Sequence, residues 1–327
     1  MGMFEVVHNL VIDKFGAESE TLGSSKTESP RTGWPIVAFG AMLWALDLVL
    51  RPQAQKAGLS ALQIVLFEHL ALALIFLPGL VVQRNQWQRL KTKSWLGLAF
   101  IAIFGSAIAT LMITLAYQMG SPLLTALLQK TQPIFTVILA GLFLGEHRKP
   151  MFWPLFVGAL AATYLLAFGL SGIDVSTKLV PVGLALGAAA IWGTCTVVGR
   201  VAVQDLAPSV VAGWRFMIAL PFLLALAVRG SSGAISANVS GASLLPILLI
   251  VIFPDALGML LYYIGLKRTP ASLATLAELA FPATALIISL SDQKQALNIF
   301  QWLGLAALLF CLHLIQTSRS VSVVEAV

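Results

Sequence analysis

Residues 94–138 read SWLGLAFIAIFGSAIATLMITLAYQMGSPLLTALLQKTQPIFTVI, and residues 243–287 read SLLPILLIVIFPDALGMLLYYIGLKRTPASLATLAELAFPATALI. The second stretch is the first displaced by 149 positions without a gap: Ser94 meets Ser243, Ile103-Phe104 meet Ile252-Phe253, Leu111 meets Leu260, Pro133 meets Pro282 and Ile138 meets Ile287. A Leu/Ala-rich chain produces accidental matches, but an Ile-Phe dipeptide and a mid-span proline sharing one offset indicate duplication. The earlier part of each half agrees at nearly the same displacement, with Trp44 opposite Trp192, Val49 opposite Val197 and Ala71 opposite Ala219. Each half is far longer than a solenoid unit, so the chain reads as two fused copies of one module.

The composition says what solvent the modules fold in. With 58% hydrophobic and 10% charged residues, the chain falls far below the about 25% charged typical of soluble domains. The bilayer must be the solvent, and spans of roughly 20 apolar residues are the unit to seek. No length is left for a soluble catalytic domain. The net charge of +6 sits in short loops between apolar runs, which speaks for topology rather than nucleic acid. Cys195 and Cys311 each lie in an apolar run without Cys/His partners at metal spacing, so neither a disulfide framework nor a metal site is expected, and no cofactor motif stands out.

Residues 1–33 are too polar to bury a core and are expected to form a disordered cytoplasmic tail. They lack the sustained apolar run and cleavage site of a signal peptide. Ten spans follow: Trp34–Leu50, Ala61–Val82, Trp95–Met119, Leu123–Leu144, Met151–Leu170, Leu179–Val198, Pro208–Val228, Leu244–Leu266, Ser272–Leu290 and Phe300–Ile315. Helices are the expected solution, because lipid cannot satisfy exposed backbone polar groups. The predicted fold class is therefore an all-α membrane protein with ten transmembrane helices. Five belong to residues 34–170 and five to residues 179–315, and residues 316–327 form a second cytoplasmic tail.

Thirteen of the 20 Lys and Arg residues fall on the side of the termini and five opposite, Arg51 and Lys56 among the latter; Lys130 and Arg215 lie within spans. The excess places both termini in the cytoplasm, with the inner plasma membrane as the expected location. Five spans per copy also force the second copy into the membrane upside down. Inverted repeats are a common construction of secondary transporters, which open alternately to either side.

The chain resembles the EamA-type members of the drug/metabolite transporter superfamily. The first copy carries Pro122, Gln132-Pro133 and Leu144-Gly145-Glu146, and the second carries Pro270-Ala271-Ser272 and Phe281-Pro282. Where the family often has an acid before the fourth-helix proline, this chain has Gln132 and Phe281, and its second copy lacks the Leu-Gly-Glu. An arginine common in the second helix is matched by Arg215, with Glu68 in its place in the first copy. The resemblance implies a ten-helix carrier of small metabolites or drugs.

A charge at mid-helix in lipid costs about 2.5–3.5 kcal/mol on insertion scales, so each one marks a candidate site. The candidates are Asp47, Glu68, His69, Lys130, Arg215, Asp255 and Glu278. By depth, Asp47, Glu68 and Lys130 belong to the outer half of helices 1, 2 and 4, and Arg215 and Glu278 to the inner half of helices 7 and 9. The copies carry acid then base, and base then acid. Two sign-exchanged pairs, Glu68–Lys130 and Arg215–Glu278, are therefore expected as gates, or as locks between helices.

Asp47 is a candidate proton carrier, because small four-helix relatives in the superfamily use an acid in their first helix. An i, i+4 pair with Arg51 at the membrane edge is the plainer alternative. Asp255, after Pro254 and without a cation at helical spacing, is either cavity-lining and protonatable or a hydrogen-bonding group at a kink. Trp44 and Trp192 are candidate walls for ring-bearing substrates, or lipid-facing bulk. Tyr262 is a weaker cavity candidate, since tyrosines near span ends, such as Tyr117, Tyr262 and Tyr263, commonly anchor at the interface. Pro133 and Pro282 are expected to kink their helices at matching points.

The expected function is a secondary carrier that exports a small organic metabolite or drug, with protons as the candidate coupling ion and the lipid bilayer as its other partner. No nucleotide-binding loop of the Gly-x-x-x-x-Gly-Lys type is present to make ATP the driver. The competing readings are a non-transporting scaffold or receptor and an intramembrane enzyme acting on lipid. The enzyme would need a nucleophile, histidine or metal-ligand cluster at one depth.

Overall fold

The computed structural model describes residues 33–120, 122–168, 170, 179–229, 241–293, 298–317 and 321–323. The predicted tail of residues 1–33 lies outside them apart from Gly33. The described chain is almost wholly helical. We number the helices α1 (Trp34–Lys56), α2 (Ala61–Val82), α3 (Thr92–Met119), α4 (Pro122–Gln129), α5 (Gln132–Phe143), α6 (Phe152–Phe168), α7 (Leu179–Asp205), α8 (Pro208–Arg229), α9 (Ser243–Leu266), α10 (Ala271–Ala277), α11 (Ala280–Gln293) and α12 (Ile299–Thr317). Helices α1, α2, α3, α7, α8 and α9 are long and apolar enough to cross a membrane. Their outward side chains, such as Leu74, Val82, Leu179 and Val228, are largely exposed, as lipid-facing residues must be.

Local sequence sets the boundaries. Ser60 and Gln63 form a reciprocal cap at the start of α2: the Ser60 hydroxyl accepts from the Gln63 N–H, and the Gln63 amide oxygen accepts from the Ser60 N–H. Two donors that a helix start leaves unpaired are thereby satisfied. Helix α1 runs to Lys56, past the expected end at Leu50, with a turn at Ala45–Leu46 in its middle. The fourth and ninth predicted spans are not continuous helices. Each is split, at Lys130–Thr131 between α4 and α5 and at Glu278–Leu279 between α10 and α11. Pro133 and Pro282 fall in the first turn of α5 and α11, where a missing N–H costs nothing, so the prolines open a new helix segment instead of bending an old one.

The copies correspond in their irregularities as well. Helix α3 widens into a π-helical segment at Ile101–Ile108, and α9 does so at Val251–Gly258. Helices α2 and α8 are both 22 residues long, and Glu68 and Arg215 occupy the same position in each.

The copies interleave: α1 packs along α9, α7 along α3, and α2 against α8. Gly40 and Gly265 permit the first contact. A β-carbon on Gly40 would lie 2.8 Å from the Gly258 carbonyl oxygen, and one on Gly265 would lie 2.6 Å from that of Gly33. Helices α6 and α12 pair with each other at one side, packing a separate apolar core around Phe152, Phe156, Leu166 and Leu308.

After α5 the Leu144-Gly145-Glu146 sequence turns the chain. Gly145 has φ +59°, which a residue with a β-carbon rarely adopts. Glu146 opens the short strand β1 (Glu146–Arg148), antiparallel to β2 (Val321–Val323). Its buried carboxylate accepts from the N–H groups of Ala271 (2.6 Å) and Ser272 (3.0 Å), capping the start of α10 in the other copy. Arg148 donates to the Ser272 hydroxyl at 2.9 Å and to the Val137 carbonyl. The motif is thus a clasp between copies that uses an anion at a helix N-terminus.

Two outcomes follow. Gly40→Ala and Gly265→Ala should each lower stability by about 1–3 kcal/mol through overpacking, whereas Gly183→Ala, with nothing within 4 Å of its added carbon, should not; thermal unfolding in detergent reads the difference. Glu146→Ala should cost about 1.5–3 kcal/mol for each lost charge-assisted bond left uncompensated, and Glu146→Gln, which keeps one acceptor, should cost less in the same measurement.

Candidate functional site

Between the copies lies a cavity of about 90 Å³, walled by α1, α3, α7, α8, α9 and the two helix breaks. One ordered water needs roughly 10–15 Å³, so the seam is not packed solid. Trp44, Asp47, Trp192, Asp255 and Tyr262 all face this space, as do Arg51, Arg215, Glu278 and Phe281. Lys130 approaches from the break after α4.

Arg51 is the centre of one wall. Its guanidinium lies 2.6 Å from Glu68 and 3.2 Å from Asp47, donates to the Thr114 hydroxyl at 3.1 Å, and approaches Asp255 at 3.9 Å. It is 2% exposed, so it is buried among the helices. The expected i, i+4 pair with Asp47 is present, and the helical continuation of α1 past Leu50 makes it part of a larger cluster. Arg51 consequently leaves the loop cations used for topology.

Arg215 is the centre of the opposite wall. It donates to Ser106 at 2.5 Å, to the Tyr263 hydroxyl at 3.2 Å and to the Gly105 carbonyl at 3.2 Å. The Gly105 carbonyl also accepts from the Trp192 indole at 2.7 Å. Gly105 and Ser106 lie in the π-helical segment of α3, whose altered ladder presents backbone and side chain together. The two walls match under the duplication. Ser106 and Tyr263, which hold Arg215, occupy the positions equivalent to Asp255 and Thr114, which face Arg51.

Between the walls stand the two helix breaks. Gln132 donates to Glu278 at 3.0 Å and to Thr196 at 3.4 Å, and the Thr196 and Tyr262 hydroxyls bond at 2.8 Å. The Lys130 ammonium sits 4.1 Å from the Phe281 ring centre and 5.9 Å from that of Trp44, whose ring in turn lies 5.2 Å from Tyr262. Glu278 is its electrostatic counterpart. Lys130 and Glu278 hold equivalent places, each following the last residue of one helix segment and standing two residues before the first of the next.

The pairs expected from charge order, Glu68–Lys130 and Arg215–Glu278, are not those formed. Glu68 is taken by Arg51, Arg215 is satisfied by neutral acceptors, and the facing breaks bring Lys130 towards Glu278 across the seam. Tyr117, Tyr262 and Tyr263 are buried and not interfacial anchors. Sequence reasoning also passed over Ser106, Thr114 and Thr196, because lone hydroxyls in apolar helices are commonplace. Gln132 was noted only as a departure from a motif. Among the described residues, no group of three or more His, Cys, Asp and Glu side chains is arranged to hold a metal ion.

Replacing Arg51 by Met would leave Glu68 and Asp47 as buried charges without a cation. A loss of about 3–5 kcal/mol is expected, against no measurable loss for Lys56→Met, which removes an exposed cation; thermal unfolding in detergent distinguishes them.

Comparison with known proteins fits this geometry. The model of the EamA-like transporter family matches residues 32–168 and again residues 179–317. A protein of Fusobacterium nucleatum named riboflavin transporter ImpX is 28% identical over 266 residues, which cover 77% of this chain and 86% of that protein. An uncharacterized transporter of Clostridium kluyveri is 26% identical over 265 residues, covering 77% and 82%. A solved crystal structure aligns with a TM-score of 0.67 over 88% of this chain and 97% of its own, at 17% identity, and so shares the fold.

Proposed function

Because this chain belongs to the EamA-like transporter family, we propose that it is a secondary carrier exporting a small, ring-bearing organic metabolite through the cavity between its two copies. The observation that carries the reading is the matching of equivalent residues around that cavity: Trp44 with Trp192, Asp47 with Cys195, and the two broken helices with each other. A site at the seam of two related modules is reached from one side when they tilt one way and from the other when they tilt back.

In this reading, α4–α5 and α10–α11 each make one interrupted crossing. With α6 and α12 they bring the total to ten, as two inverted fives with both termini cytoplasmic. The swapped contacts of α1 on α9 and α7 on α3 support that arrangement. Discontinuous helices at the centre of a carrier put charged half-helix ends where solute and coupling ion bind, and Lys130 and Glu278 stand at those ends. Protons are the coupling ion this lining suits, since it supplies carboxylates.

The substrate class follows from the faces on offer. Trp44, Tyr262, Phe281 and Trp192 give flat apolar surface, and Gln132, Thr196 and Lys130 give directional polar contacts, the usual division of labour in a small-molecule site. The relative named for riboflavin handles a fused-ring heterocycle, which such faces would suit. At about 90 Å³ the cavity holds only waters or a small group, so a ring enters when the copies move apart.

The test is flux into reconstituted liposomes with a panel of riboflavin, nucleobases, amino acids and cationic dyes, with and without a pH gradient, and everted vesicles for direction. At least one ring-bearing member should move faster than through empty liposomes. Trp44→Ala should raise its KM roughly 2- to 10-fold, the equivalent of about 0.5–1.5 kcal/mol per aromatic contact. No flux of any member would favour a non-transporting scaffold.

A further inference from the structure

The charges around the cavity do not balance. Arg51, Arg215 and Lys130 face four carboxylates, those of Asp47, Glu68, Asp255 and Glu278. Lys130 and Glu278 cancel one another, which leaves two guanidinium groups against three acids. A buried net charge surrounded by lipid is too costly to persist, so the resting cluster must take up one positive charge.

The geometry selects the acid. Glu68 is 0% exposed and held to Arg51 at 2.6 Å, and Asp47 lies 3.2 Å from the same group. Asp255 is 3.9 Å from Arg51, beyond hydrogen-bonding distance. Arg215 places three of its five N–H groups on Ser106, Tyr263 and the Gly105 carbonyl. One oxygen of Asp255, itself buried, has no hydrogen-bond partner, and neither does the second oxygen of the fully buried Glu68. The Asp255 and Asp47 side chains are each 17% exposed and line the cavity, so cavity water has access to both, and the looser approach to Arg51 singles out Asp255. The remaining titratable neighbours are His69 on α2, whose Nδ1 donates to the Val65 carbonyl at 2.7 Å, Tyr117 on α3, Cys195 on α7, and Tyr262 and Tyr263 on α9.

We propose that Asp255 binds one exchangeable proton from the cavity water, and that this proton governs the Arg51–Asp255 attraction across the seam between the copies. Asp47, Arg51 and Glu68 belong to the first copy, whereas Asp255 sits on the π-helical segment of α9 in the second. The ionised carboxylate draws that segment towards Arg51. The protonated acid is neutral, balances the cluster and releases the attraction. Proton arrival and departure therefore bias the relative tilt of the copies, which deepens the carrier reading and rests on it for its role in transport.

The proton is read on the full chain in lipid nanodiscs, without any solute, by infrared difference spectra between acidic and alkaline buffer and by dye-reported proton uptake. The native chain should show a protonated-carboxyl carbonyl band that disappears on the alkaline side, with one proton taken up per molecule. Asp255→Asn should abolish that band and that proton, Asp255→Glu should restore both with a shifted band, and His69→Gln should keep them. A band that survives in Asp255→Asn, a proton lost instead in His69→Gln, or a band that sodium abolishes at constant pH overturns the assignment. In liposomes, Asp255→Asn should retain exchange of whichever panel solute the native chain moves but lose its accumulation under a pH gradient; accumulation at the native level also overturns it. Failure of every panel solute with the infrared band intact would instead count against the carrier reading and leave the proton site standing.

Discussion

Burying a guanidinium in a membrane protein is tolerable only when partners arrive from every side, and here that requirement organises the packing. Arg51 draws on α1, α2, α3 and α9 for its acceptors, and Arg215 draws on α3 and α9 from α8. Arg51 finds its close partners within its own copy and reaches across only to Asp255, whereas Arg215 takes Ser106 and the Gly105 carbonyl from the other copy. Breaking such a cluster by removing one member costs about 3–5 kcal/mol, a large share of the stability of any domain. The interleaving of the two copies and the placement of their charges therefore go together, with the glycines of α1 and α9 permitting the approach. The lining of the cavity includes several of the same groups.

The two copies keep one frame and divide its chemistry. At matched positions the first has Glu68, Ser106, Thr114 and Asp47, and the second has Arg215, Asp255, Tyr263 and Cys195. Acids gather around Arg51, and neutral donors and acceptors around Arg215. A symmetric pair of walls would have made the two tilts of the molecule equal in energy. In the proposed carrier, with three carboxylates collected beside Arg51, the tilt that brings Asp255 towards Arg51 would differ electrostatically from its opposite, and a bound proton would alter the balance between them.

Much of this was legible in the letters. The 149-residue displacement reveals the duplication, and the composition reveals the solvent. Asp47, Glu68, Lys130, Arg215, Asp255 and Glu278 stood out because charge in an apolar run is improbable. Their partners did not. Charge order along the chain suggests Glu68 with Lys130, but partner choice depends on which helix faces which, and the long Arg51 side chain was assigned to a loop because α1 seemed to end at Leu50. The interruptions were half visible: Pro133 and Pro282 mark the new segments, while nothing in the sequence separates a kink from a break. The π-helical segments left no signal in the first copy, where no proline accompanies them, and only Pro254 in the second.

The breaks deserve a physical explanation beyond proline, because both fall beside an ionisable residue. An unbroken helix would present Lys130 or Glu278 to the cavity with its backbone dipoles internally paired. Opening the ladder places a segment's carbonyl end before each of these residues and an N–H end after it, so a charge of either sign lies near backbone dipoles that oppose it. The charged side chain is thus partly solvated by its own backbone in a place where water is scarce. A helix interrupted in this way is also weaker at that point than along the rest of its length, since the free carbonyls and N–H groups can exchange partners at little cost. The Gln132 side-chain amide beside the first break is likewise divided between Glu278 and Thr196. In the proposed carrier, a solute that brings its own donors and acceptors to this position would replace such contacts, and the energy of the exchange would be available to tilt one copy against the other.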